Sequence, residues 1–205
     1  MKKQILITIG LATLVASATQ ASQEQLAKSI NDARVETTRT SEQLKATLNA
    51  ITGLTKQKSG DLRPAYNNYC SEVTKTKSAA TLTLTRVQWM GSDGRQYFTD
   101  WQTTVNGIAN ESLRKKSQKR LDAVQQSYSK VEASLKTAGE KFKPFLSDLS
   151  DIQKALAADV TPGGVKAIGS TVRSANWNHQ FVDKAIQSAL KEMDKMQKSL
   201  SSEAK

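Results

Sequence analysis

Apolar residues recur along this chain at alternating intervals of three and four, and this spacing constrains the fold more than any other feature. The most regular stretch covers residues 165–200, about five heptads. Such a period is typical of helices that pack lengthwise against one another. The members of this stripe are Val165, Ile168, Val172, Ala175, His179, Val182, Ile186, Ala189, Met193, Met196 and Leu200.

Three further stripes have the same period. One covers residues 121–156, with Leu113 in phase before it, and two weaker ones cover residues 26–54 and 62–90. Threonines occupy the middle of both weaker stripes, so we expect looser packing there. Thr81–Thr85 would suit a strand if taken alone, but its flanks predict a helix. The stripe at residues 121–156 continues in phase across Pro144, which favours one bent helix over two separate helices.

Glycine-containing segments divide the stripes from one another. Gly53–Gly60 separates the first two helices, and residues 159–164 separate the last two. Gly91–Gly94 predicts a turn, followed by a short amphipathic helix that ends near Ile108. Because short connections make neighbouring helices antiparallel, the sequence predicts an all-α fold, an elongated antiparallel bundle of three to four long helices with coiled-coil-like packing. The lower number applies if the first helix is loosely attached.

The first 21 residues have the layout of an export signal. Two lysines precede an apolar run at residues 5–15, and a stretch of small residues follows. This run is too short to cross a bilayer core about 30 Å thick, which takes about 20 helical residues. We therefore expect cleavage after Ala18 or Ala21, and a mature chain without a transmembrane segment. Residues 22–205 would form a single helical-bundle domain in the periplasm or in the extracellular space.

The chain is basic, with 30 Lys and Arg against 19 Asp and Glu and a formal net charge of +11. An exported basic protein meets anionic envelope polymers more often than nucleic acid, so a nucleic-acid partner is not expected. Five cations fall within seven residues, and on a helical wheel they fill the arc outside the apolar stripe, which is typical of a solvated face. The alternative is a contact site for an anion. These residues are Arg114, Lys115, Lys116, Lys119 and Arg120.

One histidine and one cysteine cannot form a His/Cys metal site, so neither a metal nor a cofactor is expected. His179 lies on the apolar stripe, which predicts a hydrogen-bonded or interface histidine; a pH-sensitive contact is the alternative. Cys70 is either a small buried residue or an exposed thiol that forms an intermolecular disulfide. We expect Trp101 and Trp177 to act as large anchors that close the ends of the bundle.

Motifs of acyl-transfer and hydrolytic enzymes receive little support. S-x-x-K occurs at Ser112, Ser127 and Ser188, but neither S-D-N nor K-T-G accompanies it. The acid pairs at positions 148 and 151 and at 192 and 194 are expected to be surface charges, since a slim bundle offers little depth for a catalytic pocket. We therefore expect the chain not to be an enzyme.

Several segments give the second half a resemblance to a known family. They are Asn110–Arg114 at the start of the long helix, Tyr128 within it, Lys143–Leu146 at the proline and, more weakly, Phe98–Trp101. These residues resemble the DUF2959-type family of bacterial exported, helix-rich proteins of unknown function. The resemblance covers about residues 25–200 by layout, and about 95–160 by recognisable residues. It implies export and coiled-coil-like helices, and it carries over no catalytic residue. The threonine-rich first half and the basic charge depart from the family.

The sequence thus favours a non-enzymatic exported protein of the bacterial cell envelope, acting by protein–protein interaction or in a structural role. Its partner would be another envelope protein or a second copy of the chain. The alternative is a basic periplasmic holdase chaperone or a polyanion-binding protein, which would bind anionic envelope polymers. An envelope hydrolase is the least favoured hypothesis.

Overall fold

A computed structural model describes the backbone of residues 3–57 and 59–201 and the side chains of residues 18–57 and 59–201. This part of the chain forms five helices and no strand, which confirms the predicted all-α bundle. The helices are α1 (Lys3–Lys56), α2 (Arg63–Asn106), α3 (Glu111–Ala158), α4 (Pro162–Ala167) and α5 (Gly169–Ser201).

The export signal predicted at residues 1–21 lies mostly outside the described side chains, so export and its cleavage site stay predictions. Across the described residues, no helix combines the length and the apolar character that a membrane span requires.

The apolar stripes form the core of the bundle. Every member of the stripe at residues 26–54 is buried, so the alternative of a loosely attached first helix is wrong. Every member of the last stripe is buried too, apart from the half-buried His179. Leu113 departs from the pattern, because 53% of its surface is exposed. The spacing therefore identified nearly all of the core.

The chain divides into two compact units. The first contains Met1–Arg34, Thr85–Glu132 and Lys191–Lys205, and the second contains Val35–Leu84 and Ala133–Leu190. The second unit holds a large apolar cluster that includes Leu44, Tyr69 and Phe145. The single domain expected for residues 22–205 stays a prediction.

Pairs of threonines hold α1 and α2 in register within the second unit. The hydroxyl oxygens of Thr40 and Thr83 lie 2.9 Å apart, and those of Thr47 and Thr76 lie 2.7 Å apart. The position on α1 rises by seven while its partner on α2 falls by seven, so the two helices are antiparallel. Thr47 and Thr76 are fully buried. Threonine suits these core positions because each hydroxyl gives its partner a hydrogen bond that an apolar interior lacks.

Tyrosines join α2 to α3 in a similar way. In the second unit, Tyr69 Oη donates to the carbonyl of Leu149 at 2.7 Å, and Tyr66 Oη donates to that of Gln153 at 3.2 Å. Helix α3 runs through Pro144 without interruption, which confirms one continuous helix over two separate ones. The proline is exposed, so the carbonyl left without its helical donor can be solvated.

The turn predicted at Gly91–Gly94 is wrong, because α2 continues through it to Asn106. The short helix predicted to end near Ile108 is the last part of α2. Gly94 is buried beneath Tyr128, and a Cβ atom at Gly94 would lie 2.5 Å from Tyr128 Oη. That hydroxyl donates to the carbonyl of Met90 at 2.9 Å. Gly94 thus provides room for a tyrosine from the neighbouring helix and does not mark a turn.

The last connection is more helical than predicted. Thr161 caps α4 by accepting a hydrogen bond from the Gly164 amide at 3.3 Å, and Pro162 occupies the first turn, as both residue types prefer. Ile168 alone separates α4 from α5, so the unbroken helix expected over 165–200 is interrupted there. Its φ of −78° and ψ of −4° remain right-handed, which keeps the stripe in phase.

Candidate functional site

The five clustered cations lie on the first turns of α3, and all of them are exposed. Asn110 caps the helix, since its Oδ1 accepts from the Leu113 amide at 3.0 Å. Lys115 Nζ lies 2.7 Å from Glu111 Oε1, and Arg120 Nη2 donates to the Ser199 carbonyl at 3.3 Å. The arrangement has the exposure of a solvated face. An anion contact by Arg114, Lys115, Lys116, Lys119 and Arg120 stays a prediction.

Cys70 is half-buried on α2, next to a tyrosine one turn earlier. A side-chain hydrogen bond with Cys70, together with burial, raises the pKa of Tyr66 to about 12. Cys70 is therefore partly shielded and partly accessible, and the intermolecular disulfide stays a prediction.

His179 on α5 lies against the aromatic core of the second unit. Its ring centroid is 5.9 Å from that of Phe145. Its Nε2 is buried and has no hydrogen-bond partner among the described residues. Of the two predicted forms, a hydrogen-bonded or an interface histidine, the packing of the ring against α3 favours the interface histidine. Burial lowers the pKa of His179; Asp183 acts against this shift, and Lys45 adds to it. The neutral imidazole is therefore the form that fits the fold.

Each carboxylate of the two acid pairs has a partner that stabilises the fold. Asp148 accepts from Asn178 at 2.8 Å, and Asp151 pairs with a lysine one turn later at 3.1 Å. Asp194 pairs with Arg34 at 2.6 Å, and Glu192 also pairs with a lysine one turn later, at 2.6 Å. In the segments that the structure describes, no cluster of three or more His, Cys, Asp or Glu residues is arranged to hold a metal ion.

An exposed pair of aromatic residues on α5 is the most distinctive surface feature of the second unit. Trp177 is 61% exposed and Phe181 is 42% exposed. Their ring centroids lie 5.5 Å apart at an interplanar angle of 72°, an edge-to-face arrangement. Large aromatic side chains of this kind are enriched at protein interfaces. We call Trp177 and Phe181 the aromatic pair.

The aromatic pair has a cation on each side along the helix. Arg173 lies four residues before Trp177, and Lys184 lies three residues after Phe181; both are exposed. These spacings place all four side chains on one face of α5. Next to the pair, Asn178 fixes α5 to α3 through its bond to Asp148. The surface is therefore apolar at its centre and positive at both ends.

Sequence reasoning missed this surface. It assigned Trp177 to an anchor at a bundle end, and the exposure of Trp177 shows that this assignment is wrong. Trp101 is half-buried and packs against Tyr97, with ring centroids 5.4 Å apart. The available signal was the position of Trp177 and Phe181, four residues apart and both outside the apolar stripe.

Comparison with known proteins gives a family and no activity. Residues 15–200 match the model of a family described as a protein of unknown function, DUF2959. No curated protein matches the chain, and no solved structure does so either.

Proposed function

The chain belongs to the DUF2959 family, whose description states no activity, and we propose from its geometry that it is a non-enzymatic exported protein of the bacterial cell envelope that binds a partner protein. The observation that carries this proposal is the aromatic pair. Trp177 and Phe181 expose large rings on a helix whose opposite face is fully used by the core. Anchors of this kind supply much of the binding free energy at interfaces.

The charges beside the pair indicate the chemistry of the partner. Arg173 and Lys184 would face acidic residues in a complementary complex, which favours binding and speeds association. A symmetric contact between two copies would bring these cations close to their own counterparts, and the whole chain carries a net charge of +11. We therefore propose a different protein as the partner, one with an apolar patch bordered by Asp or Glu.

The positions of the polar residues support a binding role. Asp148, Asp151, Glu192 and Asp194 are engaged in bonds within or between helices. The buried threonines and tyrosines satisfy one another or backbone carbonyls. Some of these contacts stabilise a single helix and the others hold two helices together, as expected of polar groups in a scaffold for binding.

Site-specific photo-crosslinking in cells that naturally make the chain tests this function. A photoreactive derivative of phenylalanine, which keeps an aromatic ring at the position, would replace Trp177, Phe181 or, as a control, the exposed Thr137 of α3. We expect one discrete adduct, with the same acidic protein, from the first two positions and none from the third. The adduct should weaken when Arg173 and Lys184 are both changed to Glu. Equal adducts at all three positions, no adduct at all, or an adduct between two copies would contradict the proposal.

Location is tested separately, by fractionation of the same cells. We expect the protein in the periplasmic or secreted fraction, with the intact mass of a chain that starts after Ala18 or Ala21. A cytoplasmic protein that retains Met1 would contradict export and leave the crosslinking result intact.

The exposed cations of α3 favour the second candidate function, a holdase chaperone or polyanion-binding protein. Binding to a polyanion would release counterions and weaken steeply as salt rises. The test measures binding of polyphosphate at low and high salt by wild type and by a variant with Arg114, Lys116 and Lys119 changed to Gln. Binding that ignores salt, or that the variant retains in full, would reject this alternative.

A further inference from the structure

A surface groove lies between α1 and α2 within the first unit and has a volume of about 280 Å³. Helix α1 lines it with Lys28, Ser29 and Asp32, and α2 lines it with residues that include Arg86, Trp89 and Asp93. The volume falls just below the range of about 300–1,000 Å³ that is usual for drug-sized ligands. The groove therefore has room for a small molecule at most.

Arg86 is the most unusual residue of the groove. Its Nε is buried and has no acceptor in the described part of the chain. Its Nη1 lies 3.9 Å from Asp32 Oδ2, at the outer limit of an ion pair. The guanidinium carbon lies 4.7 Å from the centroid of the Trp89 ring, which holds the group by a cation–π contact. Buried donors normally have an acceptor, so the Arg86 Nε–H lacks its usual partner. The Arg86 side chain is 30% exposed, so the outer part of the guanidinium can be reached from the groove.

A carboxylate is the acceptor that this geometry fits best. The guanidinium presents N–H groups in a planar fork that matches the two oxygens of a carboxylate. Lys28 adds a second positive charge to the same groove.

The remaining groups select a ligand that also carries a positive charge. Asp32 and Asp93 balance the two cations, so the groove has no net positive charge to hold a doubly charged anion such as phosphate. Asp93 Oδ2 accepts from Gln25 Nε2 at 3.3 Å, which leaves its other oxygen for a ligand donor. Trp89 is 54% exposed and offers an apolar surface beside these charges.

We propose that this groove, formed by Arg86, Trp89, Asp32 and Asp93, binds a free α-amino acid. Its carboxylate would lie on Arg86, its ammonium group would lie toward the two aspartates, and its side chain would pack on Trp89. This inference goes beyond the proposed function, because it concerns a small ligand and a surface in the other unit.

An NMR titration of the full chain tests this inference by following the Arg86 Nε–H and Trp89 indole N–H signals. The probes are L-leucine, N-acetyl-L-leucine, which lacks the ammonium group, L-leucinamide, which lacks the carboxylate, and inorganic phosphate. We expect leucine to shift both signals in a saturable way. Each blocked analogue should bind at least about tenfold more weakly, which corresponds to the loss of one charged contact. Phosphate should leave both signals unchanged.

Three variants complete the test. Arg86→Lys retains the charge but loses the fork, and we expect about tenfold weaker leucine binding. Asp93→Asn should weaken leucine and leave N-acetyl-leucine unaffected, and Arg63→Lys, an exposed position on the same helix, should change nothing. The inference is overturned if leucine causes no shift, if phosphate shifts the signals equally, or if Arg86→Lys binds leucine as tightly as wild type does. If circular dichroism shows that Arg86→Lys is unfolded, the binding data for Asp93→Asn and for the blocked analogues test the inference instead.

Discussion

Replacing Gly94 by alanine should destabilise the protein, although the same change in a helix is normally favourable. Alanine is better than glycine in a helix interior by about 1 kcal/mol. At Gly94, however, the added methyl group would lie 2.5 Å from Tyr128 Oη and 2.9 Å from its Cε1. Tyr128 is buried and bonded to the Met90 carbonyl, so it cannot move away freely. Overpacking of this kind costs about 1–3 kcal/mol.

Gly91 supplies a matched control on the same helix. A Cβ atom there would meet only Arg95 Nη1, at 3.7 Å, an ordinary contact. Gly91→Ala should therefore stabilise the protein by about 0.5–1 kcal/mol through helix propensity alone. The free energies of unfolding of the two variants should differ by about 1–3 kcal/mol.

Urea and thermal unfolding, followed by circular dichroism, measure this difference. For a chain of this length, each 1 kcal/mol corresponds to about 2–4 °C in Tm. If Gly94→Ala stabilises the protein as much as Gly91→Ala does, Tyr128 does not pack on Gly94 and the reasoning is refuted. If both changes destabilise strongly, the segment is a turn after all.

The remaining predictions concern four other contacts. His179 fits the fold in its neutral form, and its pKa is lowered. Its contribution to stability should therefore be present above about pH 6.5 and be lost as pH falls through the folded-state pKa. The variant His179→Leu should flatten the dependence of Tm on pH in this window. Thr47→Val should cost about 1–3 kcal/mol in urea unfolding because it leaves the Thr76 hydroxyl unsatisfied, whereas Thr47→Val with Thr76→Val should recover most of the loss. Asn110→Ala should cost about 1 kcal/mol through loss of the α3 cap, measured by thermal unfolding. If Cys70 forms an intermolecular disulfide, light scattering should detect a dimer that reductant and Cys70→Ser both abolish.

Each of these predictions has an outcome that contradicts it. A pH profile of Tm that is unchanged by His179→Leu would show that another group titrates. A double threonine variant as unstable as the single one would mean that the pair does not act as a unit. If the oxidised protein is fully monomeric, the prediction of an intermolecular disulfide is wrong. If the Asn110→Ala variant is as stable as wild type, α3 begins at another residue.

The core was predictable because burial depends on periodicity, which a sequence displays directly. The stripe from Val165 to Leu200 lies on the buried side of α5 and α4 as expected, and the polar Thr40 and Thr47 followed the apolar pattern into the core. The error at Gly91–Gly94 arose from composition. Glycine, serine and aspartate favour turns locally, but the requirement of Tyr128 for space is a tertiary effect that no local pattern shows.

The surfaces were less predictable, because they depend on which helices meet and at which register. Arg86 and Trp89 are three residues apart on α2, but Asp32, which completes the groove with them, is far away in sequence. Their meeting follows from the antiparallel pairing of α1 and α2. The exposed position of Trp177 and Phe181 could have been found, since both lie off the stripe, but Trp177 was assigned to an anchor at a bundle end.

The threonine pairs between α1 and α2 also determine how this protein could change in length. Thr40 and Thr47 are seven residues apart, as are Thr76 and Thr83. If one helix shifted by seven residues along the other, one threonine of each helix would still form a pair. The other two hydroxyls would lose their threonine partners. An insertion into one helix alone therefore cannot be absorbed by sliding. A longer version of this protein, natural or engineered, should therefore carry insertions of equal length in α1 and α2.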